Sequence, residues 1–231
     1  MDRQGSPSID TIRRSSYTTM PSTELSASPL GPRSTGDARP VLGHVNLMVD
    51  TLIANANLED LRAIVRGMLA TNPPSVAQAF TAAARQRLLR VDATAIPDTT
   101  GIFEAGAGDR TAAPTEKLHD ILVRIRTLYG SGLGFASLRI LSRVVSATVG
   151  IRWEDDSDME DVLAHIDADI SQAIQSSKEE LDSGRVTDLH DARGIVQELR
   201  SAVNESQMDV KKWDGAFPFE RAASSLEYWR V

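Results

Sequence analysis

Apolar side chains recur at helical spacing through most of the chain from residue 41 onward. The strongest stripes lie in residues 114–150 and 158–183, where apolar residues return every three or four positions. A weaker stripe of the same period runs through residues 41–90. No segment shows the sustained apolar/polar alternation of a half-buried strand. The pattern predicts an all-α fold, an irregular bundle of about seven helices.

Residues 41–90 are predicted to form three short helices with tight turns. Asn57 is placed to cap the second helix, because its side chain can accept a hydrogen bond from a free N–H of the first turn. That helix should end before Pro73, and Pro74 suits the first position of the third. Residues 91–113 have no period and contain several glycines, so they are predicted to be a loop or a linker.

The main helical bundle is predicted over residues 114–231. It includes an acidic helix at 158–183, whose start is marked by the capping-box spacing of Ser157 and Glu160. Near the C-terminus the aromatic residues cluster, and we expect them to pack on the bundle. The alternative, an exposed anchor for a partner, stays open. The clustered aromatic residues are Trp213, Phe217, Phe219, Tyr228 and Trp229.

The charge is unevenly distributed along the chain. Residues 154–191 hold thirteen acidic and two basic residues, so this segment alone is more negative than the whole chain, whose net charge is −7. An exposed acidic strip on this helix could attract a basic partner, or it could dock internally on arginines of the bundle. The possible interaction surface consists of Asp155, Asp156, Asp158, Asp161, Asp167 and Asp169. The arginines for internal docking are Arg124, Arg126, Arg139 and Arg143.

Residues 1–40 are predicted to form a disordered tail. They are rich in Ser, Thr, Pro, Gly and Arg, and their few apolar residues are isolated, so ordering them would not be offset by burial. Short kinase-type motifs occur here, but they are common in such tails, which favours an unmodified tail. The possible phosphosites are Ser6, Ser16 and Ser28, with Ser157 at the acidic helix.

Several classes of site are excluded or disfavoured by composition. The chain has no cysteine, which excludes disulfides, thiolate metal sites and a cysteine nucleophile. No apolar run is long enough for a membrane helix, and no secretory signal is recognisable at the N-terminus. We therefore expect a protein of the cytoplasm or nucleus, without membrane contact and with nucleic acid an improbable partner. No catalytic residue, cofactor or metal ligand is predicted.

The four histidines and the glycine-rich turn at 130–134 carry no specific motif. None of the histidines has the helical spacing of a zinc motif, and the turn lacks the lysine of a P-loop. An enzyme would need a site assembled only in the tertiary structure. Its least implausible participants are His119 or His165, together with the acidic residues near Ser157.

Residues 43–76 combine a helical stripe with a following proline pair. The stripe runs through Leu61, Ile64 and Met68 and ends before Pro73 and Pro74. This segment, under a sixth of the chain, loosely resembles the helical segment of the fungal tethers that hold proteasomes in the nucleus. The resemblance implies a nuclear adaptor, although the lysine-bearing arm of those tethers has no counterpart in residues 1–40, which contain no lysine.

Taken together, these features favour a non-enzymatic helical protein that acts by binding another protein. The amphipathic helices, the segregated acidic charge and the Ser/Pro/Arg-rich head are in the style of a eukaryotic regulatory protein. The sequence does not identify the partner, and the acidic segment favours a basic one. The alternatives are the tether-like nuclear adaptor and the enzyme with a tertiary site.

Overall fold

A computed structural model describes residues 47–105 and 111–231. The predicted tail of residues 1–40 lies outside the described residues, together with Ser6, Ser16 and Ser28 and the predicted start of the first helix. The chain divides into two units, residues 1–56 and 57–231. The first unit contributes one described helix, and all other described elements belong to the second.

The described residues form eight helices and one short hairpin, which confirms the predicted all-α fold. The helices are α1 (Leu47–Asn55), α2 (Leu58–Thr71), α3 (Pro74–Arg90), α4 (Glu116–Gly130), α5 (Gly134–Ser146), α6 (Asp158–Asp182), α7 (Leu189–Lys211) and α8 (Glu220–Tyr228). The strands are β1 (Phe103–Ala105) and β2 (Ala112–Pro114), which pair antiparallel with Phe103 opposite Pro114.

Local capping fixes the helix starts as the sequence predicts. The side-chain oxygen of Asn57 accepts from the backbone N–H of Asp60 at 2.8 Å, and α3 begins at Pro74. At α6, the hydroxyl of Ser157 accepts from the N–H of Glu160 at 3.3 Å. The Glu160 carboxylate accepts from the N–H of Asp156 at 2.6 Å, one residue earlier than in a standard capping box.

The hairpin begins in the predicted loop of residues 91–113 and ends one residue beyond it, at Pro114. Ile102, directly before β1, is fully buried in the core, and the N–H of Ala112 in β2 donates to the carbonyl of Arg152 at 2.6 Å. These contacts hold part of the segment against the bundle. Strands of three residues show only one apolar/polar alternation, which is too short to be recognised in a sequence.

Helix α5 is the centre of the bundle and packs against α4, α6 and α7. Most of its residues are buried, including the serines at 137 and 142, whose hydroxyls donate to carbonyls of their own helix. Each fully buried aliphatic side chain of this core contributes about 1.5–3 kcal/mol relative to an exposed one. The central aliphatic residues are Leu118, Ile125, Leu138, Leu141, Leu163, Ile166 and Ile170.

Four of the five C-terminal aromatic residues pack on the bundle, as predicted. Phe219 and Trp229 are buried, and Trp213 and Phe217 are half-buried. Trp213 meets Trp153 edge to face with ring centroids 5.0 Å apart. The exception is Tyr228, which is 79% exposed. The last helix starts at Glu220, two residues after Pro218.

Residues 57–90, here called the helical arm, comprise α2, α3 and their turn. Neither helix contains a buried residue. The end of α3 attaches to the bundle, because Leu88 packs on the core and the Nε of Arg85 donates to the carbonyl of Ser131 at 3.1 Å. The arm is therefore fastened at one end, while the apolar row of α2 stays largely uncovered.

Because the backbones of α5 and α6 approach closely at Gly134, a single added methyl group there should destabilise the fold. A Cβ at Gly134 would lie 2.3 Å from the backbone nitrogen of Ser177 in α6, so α5 and α6 would have to separate. We expect Gly134→Ala to lower the free energy of unfolding by about 2 kcal/mol or more, measured by chemical denaturation.

The matched control is Gly194→Ala on α7. A Cβ at Gly194 would meet no atom within 4 Å, and Gly194 is exposed within a helix. This change should stabilise the protein by about 0.5–1 kcal/mol, because alanine loses less backbone entropy on folding. Equal effects of the two substitutions would contradict the proposed helix contact.

Candidate functional site

A groove of about 700 Å³ lies between β2, the first half of α4 and the N-terminal part of α6. Helix α4 contributes His119 and Arg126, which are seven residues apart and so share one face. Helix α6 contributes Asp158, Asp161 and His165, spaced by three and four residues. We call this site the histidine groove. It brings together both histidines that the sequence named as possible participants of a tertiary site.

The ring of His165 has a defined orientation. Its Nδ1 lies 2.6 Å from the backbone carbonyl oxygen of Asp161. A carbonyl can only accept, so Nδ1 carries the proton and the Nε2 of the neutral ring is left as an acceptor. A histidine held in this way could take a proton from a bound ligand.

Arg126 lines the groove but is already paired with a carboxylate. Its Nε lies 3.1 and 3.0 Å from the two carboxylate oxygens of Asp169, and its Nη2 lies 2.9 Å from one of them. The hydroxyl of Tyr129 donates to the same carboxylate at 3.0 Å. The hydrogen bond with Asp169 raises the pKa of Arg126. This triad joins α4 to α6 below the groove.

Asp167 and Asp169 are buried, which corrects their predicted place in an acidic surface. Asp169 pairs with Arg126 as described. Asp167 accepts from the backbone N–H of Ala222 at 2.8 Å and of Arg221 at 3.3 Å, and so caps the start of α8. Burial raises the pKa of Asp167. Both carboxylates lie beside the apolar face of α6, which packs on its neighbours. Asp169 therefore joins α6 to α4, and Asp167 joins it to α8.

The other four residues of the predicted interaction surface are exposed. Asp155, Asp156, Asp158 and Asp161 lie at or just before the first turn of α6, where the partial positive charge of the helix terminus favours them. Ser157 sits among them as the helix cap, with its own hydroxyl donating to the carbonyl of Glu154 at 2.6 Å. The exposed part of the predicted acidic surface is therefore confined to the N-terminal end of α6.

Three of the four arginines considered for internal docking make hydrogen bonds within the molecule, two to carboxylates and one to backbone carbonyls. Arg126 pairs with Asp169, and Arg139 binds both carboxylate oxygens of Asp191 at 2.6 and 2.7 Å. Arg124 instead donates to backbone carbonyls of the segment after α3, including that of Ala93 at 2.7 Å. Part of the acidic charge is thus neutralised within the molecule.

A second candidate surface is the uncovered row on α2. It runs through Leu61, Ile64, Val65 and Met68, at the three- and four-residue spacing of one helix face. Ile64 is 47% and Met68 41% exposed. Leu61 and Val65, on the same face, are half-buried. Aliphatic side chains aligned on a helix without a fully buried residue are typical of a binding surface.

Within the described ranges, 47–105 and 111–231, no group of three or more His, Asp or Glu residues is arranged to hold a metal ion. No helix in this part of the chain is both long and apolar enough to cross a membrane. Comparison with family models, curated proteins and solved structures gives no match. The candidate sites therefore stand on the geometry of this chain.

The triad of Arg126, Asp169 and Tyr129 predicts that the Tyr129 hydroxyl loses its proton at a higher pH than a free tyrosine does. Burial, followed by the hydrogen bond to Asp169 and its charge, raises the pKa of Tyr129 to about 12. Because the folded pKa exceeds that of a free tyrosine, stability is unaffected below about pH 10 and falls as the pH rises from there toward 12.

Absorbance of phenolate against pH measures this shift directly. One tyrosine should titrate near pH 12, and Tyr129→Phe should remove that step while Tyr228→Phe, the exposed control, leaves it. A late step that survives Tyr129→Phe would contradict the assignment.

Proposed function

We propose that the chain is a non-enzymatic interaction protein whose helical arm binds an acidic amphipathic helix of a partner protein. The observation that supports this most directly is the apolar row of α2, which is largely exposed on a helix with no buried residue. A helix of 14 residues is marginal without tertiary packing, so a partner that covers this row would also stabilise the arm.

The charge of the arm specifies the partner's chemistry. Residues 57–90 contain five arginines and two acidic residues. Arg62 is paired with Glu59 on α2, and Arg85 donates a hydrogen bond to the bundle. The other three, Arg66, Arg87 and Arg90, are exposed. A partner helix with an apolar face and acidic flanks would match both the row and these charges.

We expect this binding in the cytoplasm or nucleus of a eukaryotic cell, in line with the cysteine-free composition and the Ser/Pro/Arg-rich head. The tether-like nuclear adaptor remains a narrower version of the same hypothesis. The exposed part of α2 falls within residues 43–76, the segment that carries that resemblance.

The experiment is photo-crosslinking from position 64 or 68 in a native extract, followed by mapping of the crosslinked peptide. We expect a partner segment that is helical, apolar on one face and acidic. Ile64→Glu with Met68→Glu should abolish capture, because two charges would be placed in the contact and would repel acidic flanks.

The matched control is Val123→Glu on α4, which changes an aliphatic side chain that is 61% exposed and outside the arm. It should leave capture unchanged, and circular dichroism should show that all variants are folded. Capture that is equal in the arm variant and the control would contradict the proposal, as would crosslinks only to a second copy of this chain.

A second candidate function, an enzyme, is favoured by the histidine groove. His119, His165 and the carboxylates of Asp158 and Asp161 share one groove, and the bond to the Asp161 carbonyl leaves Nε2 of His165 as a base. The chemistry available is acid–base catalysis, such as hydrolysis of an ester or phosphoester.

This candidate predicts turnover that depends on His165. A panel of chromogenic esters and phosphoesters would be hydrolysed by the wild type and about a hundredfold or more slowly by His165→Asn, given the usual contribution of a general base. His190→Asn on α7, an exposed histidine outside the groove, is the control. Absence of turnover on every substrate, or equal turnover in both variants, would count against a catalytic groove.

A further inference from the structure

A second cavity, of about 680 Å³, lies where the helical arm, the turn between α4 and α5 and the loop after α6 meet. Two arginines line it, Arg85 from α3 and Arg185 from the loop after α6. A methyl group at Gly132 would lie 3.0 Å from Nη2 of Arg85 and 3.2 Å from Nη2 of Arg185. Two guanidinium groups 100 positions apart in sequence thus occupy one small volume.

Most donors of these guanidinium groups have no hydrogen bond to a residue that the structure describes. The Nε of Arg85 donates to the carbonyl of Ser131 at 3.1 Å, and Nη2 of Arg185 lies 3.5 Å from the carbonyl of Gly132. The Nε of Arg185 is buried and has no hydrogen-bond partner among the described residues.

The two positive charges are not neutralised by an ion pair among the described residues. Glu180 is the acidic residue that acts on both arginines, but its carboxylate accepts from the N–H of Phe135 at 3.2 Å at the start of α5, and burial raises its pKa. Glu179 also lines the cavity, and there it accepts from Gln175. Burial, followed by the charge of Arg185, lowers the pKa of Arg85.

The neutral lining adds further donors for an anion. The hydroxyls of Thr81 and Ser176 are already donated to backbone carbonyls, at 2.9 and 2.8 Å. The amide groups of Gln78 and Gln172 have no such bond among the described residues, and both line the cavity. The cavity therefore offers two guanidinium forks and two amides to one ligand.

We propose that this cavity binds the phosphate group of a phosphate monoester, held between Arg85 and Arg185. A phosphate dianion complements the two guanidinium charges, and its three oxygens suit paired N–H donors. The cavity leaves room for the group to which the phosphate is attached. The observations behind this proposal are separate from those behind the partner helix on α2.

The test is isothermal titration calorimetry of the full chain with three probes. The probes are inorganic phosphate, O-phosphoserine and a peptide of residues 10–22 phosphorylated at Ser16, with the unphosphorylated peptide as reference. They share the phosphate chemistry and differ in its source. If the phosphopeptide binds more tightly than phosphoserine, the ligand of the cavity is the chain's own phosphorylated tail. If the two bind equally, the ligand is a free small phosphate ester.

Arg185→Gln is the decisive variant, because its hydrogen bond to Gly132 is long and its loss should leave the fold intact. We expect it to weaken phosphate binding about tenfold or more, the usual effect of losing a charged hydrogen bond. Arg85→Gln should weaken binding similarly. Arg87→Gln, an exposed arginine on the same helix that does not line the cavity, should leave binding unchanged.

Absence of saturable binding of all three probes at low salt would overturn the proposal. Binding that is equal in Arg185→Gln and wild type would overturn it as well, since the phosphate would then sit elsewhere. Circular dichroism melts of each variant establish that a loss of binding is not a loss of fold.

Discussion

The close contact of α5 with α6 at Gly134 is the constraint from which most of the structure follows. The backbone of Ser177 occupies the space that any side chain at Gly134 would need, so only glycine allows the two helices to pack at this distance. The contact fixes the turn between α4 and α5, and with it the carbonyls of Ser131 and Gly132 that Arg85 and Arg185 reach. It also brings Glu180 of α6 to the first N–H groups of α5.

Helix α6 organises the molecule because acidic residues at its start, middle and end contact different parts of the structure. At its start, exposed aspartates and Ser157 cap the helix and border the histidine groove. In its middle, Asp167 holds α8 and Asp169 holds α4. Near its end, Glu180 holds α5. A carboxylate beside the apolar face must find a partner when the helix packs, since a buried charge without one is costly.

The sequence predicts much of this fold, for reasons that are local. Helix starts at Asn57, Pro74 and Ser157 depend on a few neighbouring residues, and the apolar period shows which face is buried. The burial of Asp167 and Asp169 could have been suspected from Ile166 and Ile170, which flank them on the apolar face. The hairpin could not be predicted, because three residues per strand carry too little pattern.

The sites depend on contacts between distant helices, which spacing alone does not give. Within α6, the separation of Asp161 and His165 already predicts that they share a face. That His119 lies opposite them depends on how α4 packs on α6, and the sequence contains no rule for that distance. The same holds for Arg85 and Arg185, whose meeting point is set by the turn at Gly132.

The attachment of the helical arm and the proposed phosphate site share one residue. Arg85 fastens α3 to the turn after α4, and the same side chain faces the like charge of Arg185. Repulsion between these charges opposes the attachment, and an anion between them would turn it into attraction. Phosphate binding and arm attachment are then linked, and each must strengthen the other by the same factor. A partner helix that needs the attached arm would consequently bind more tightly when the cavity is filled.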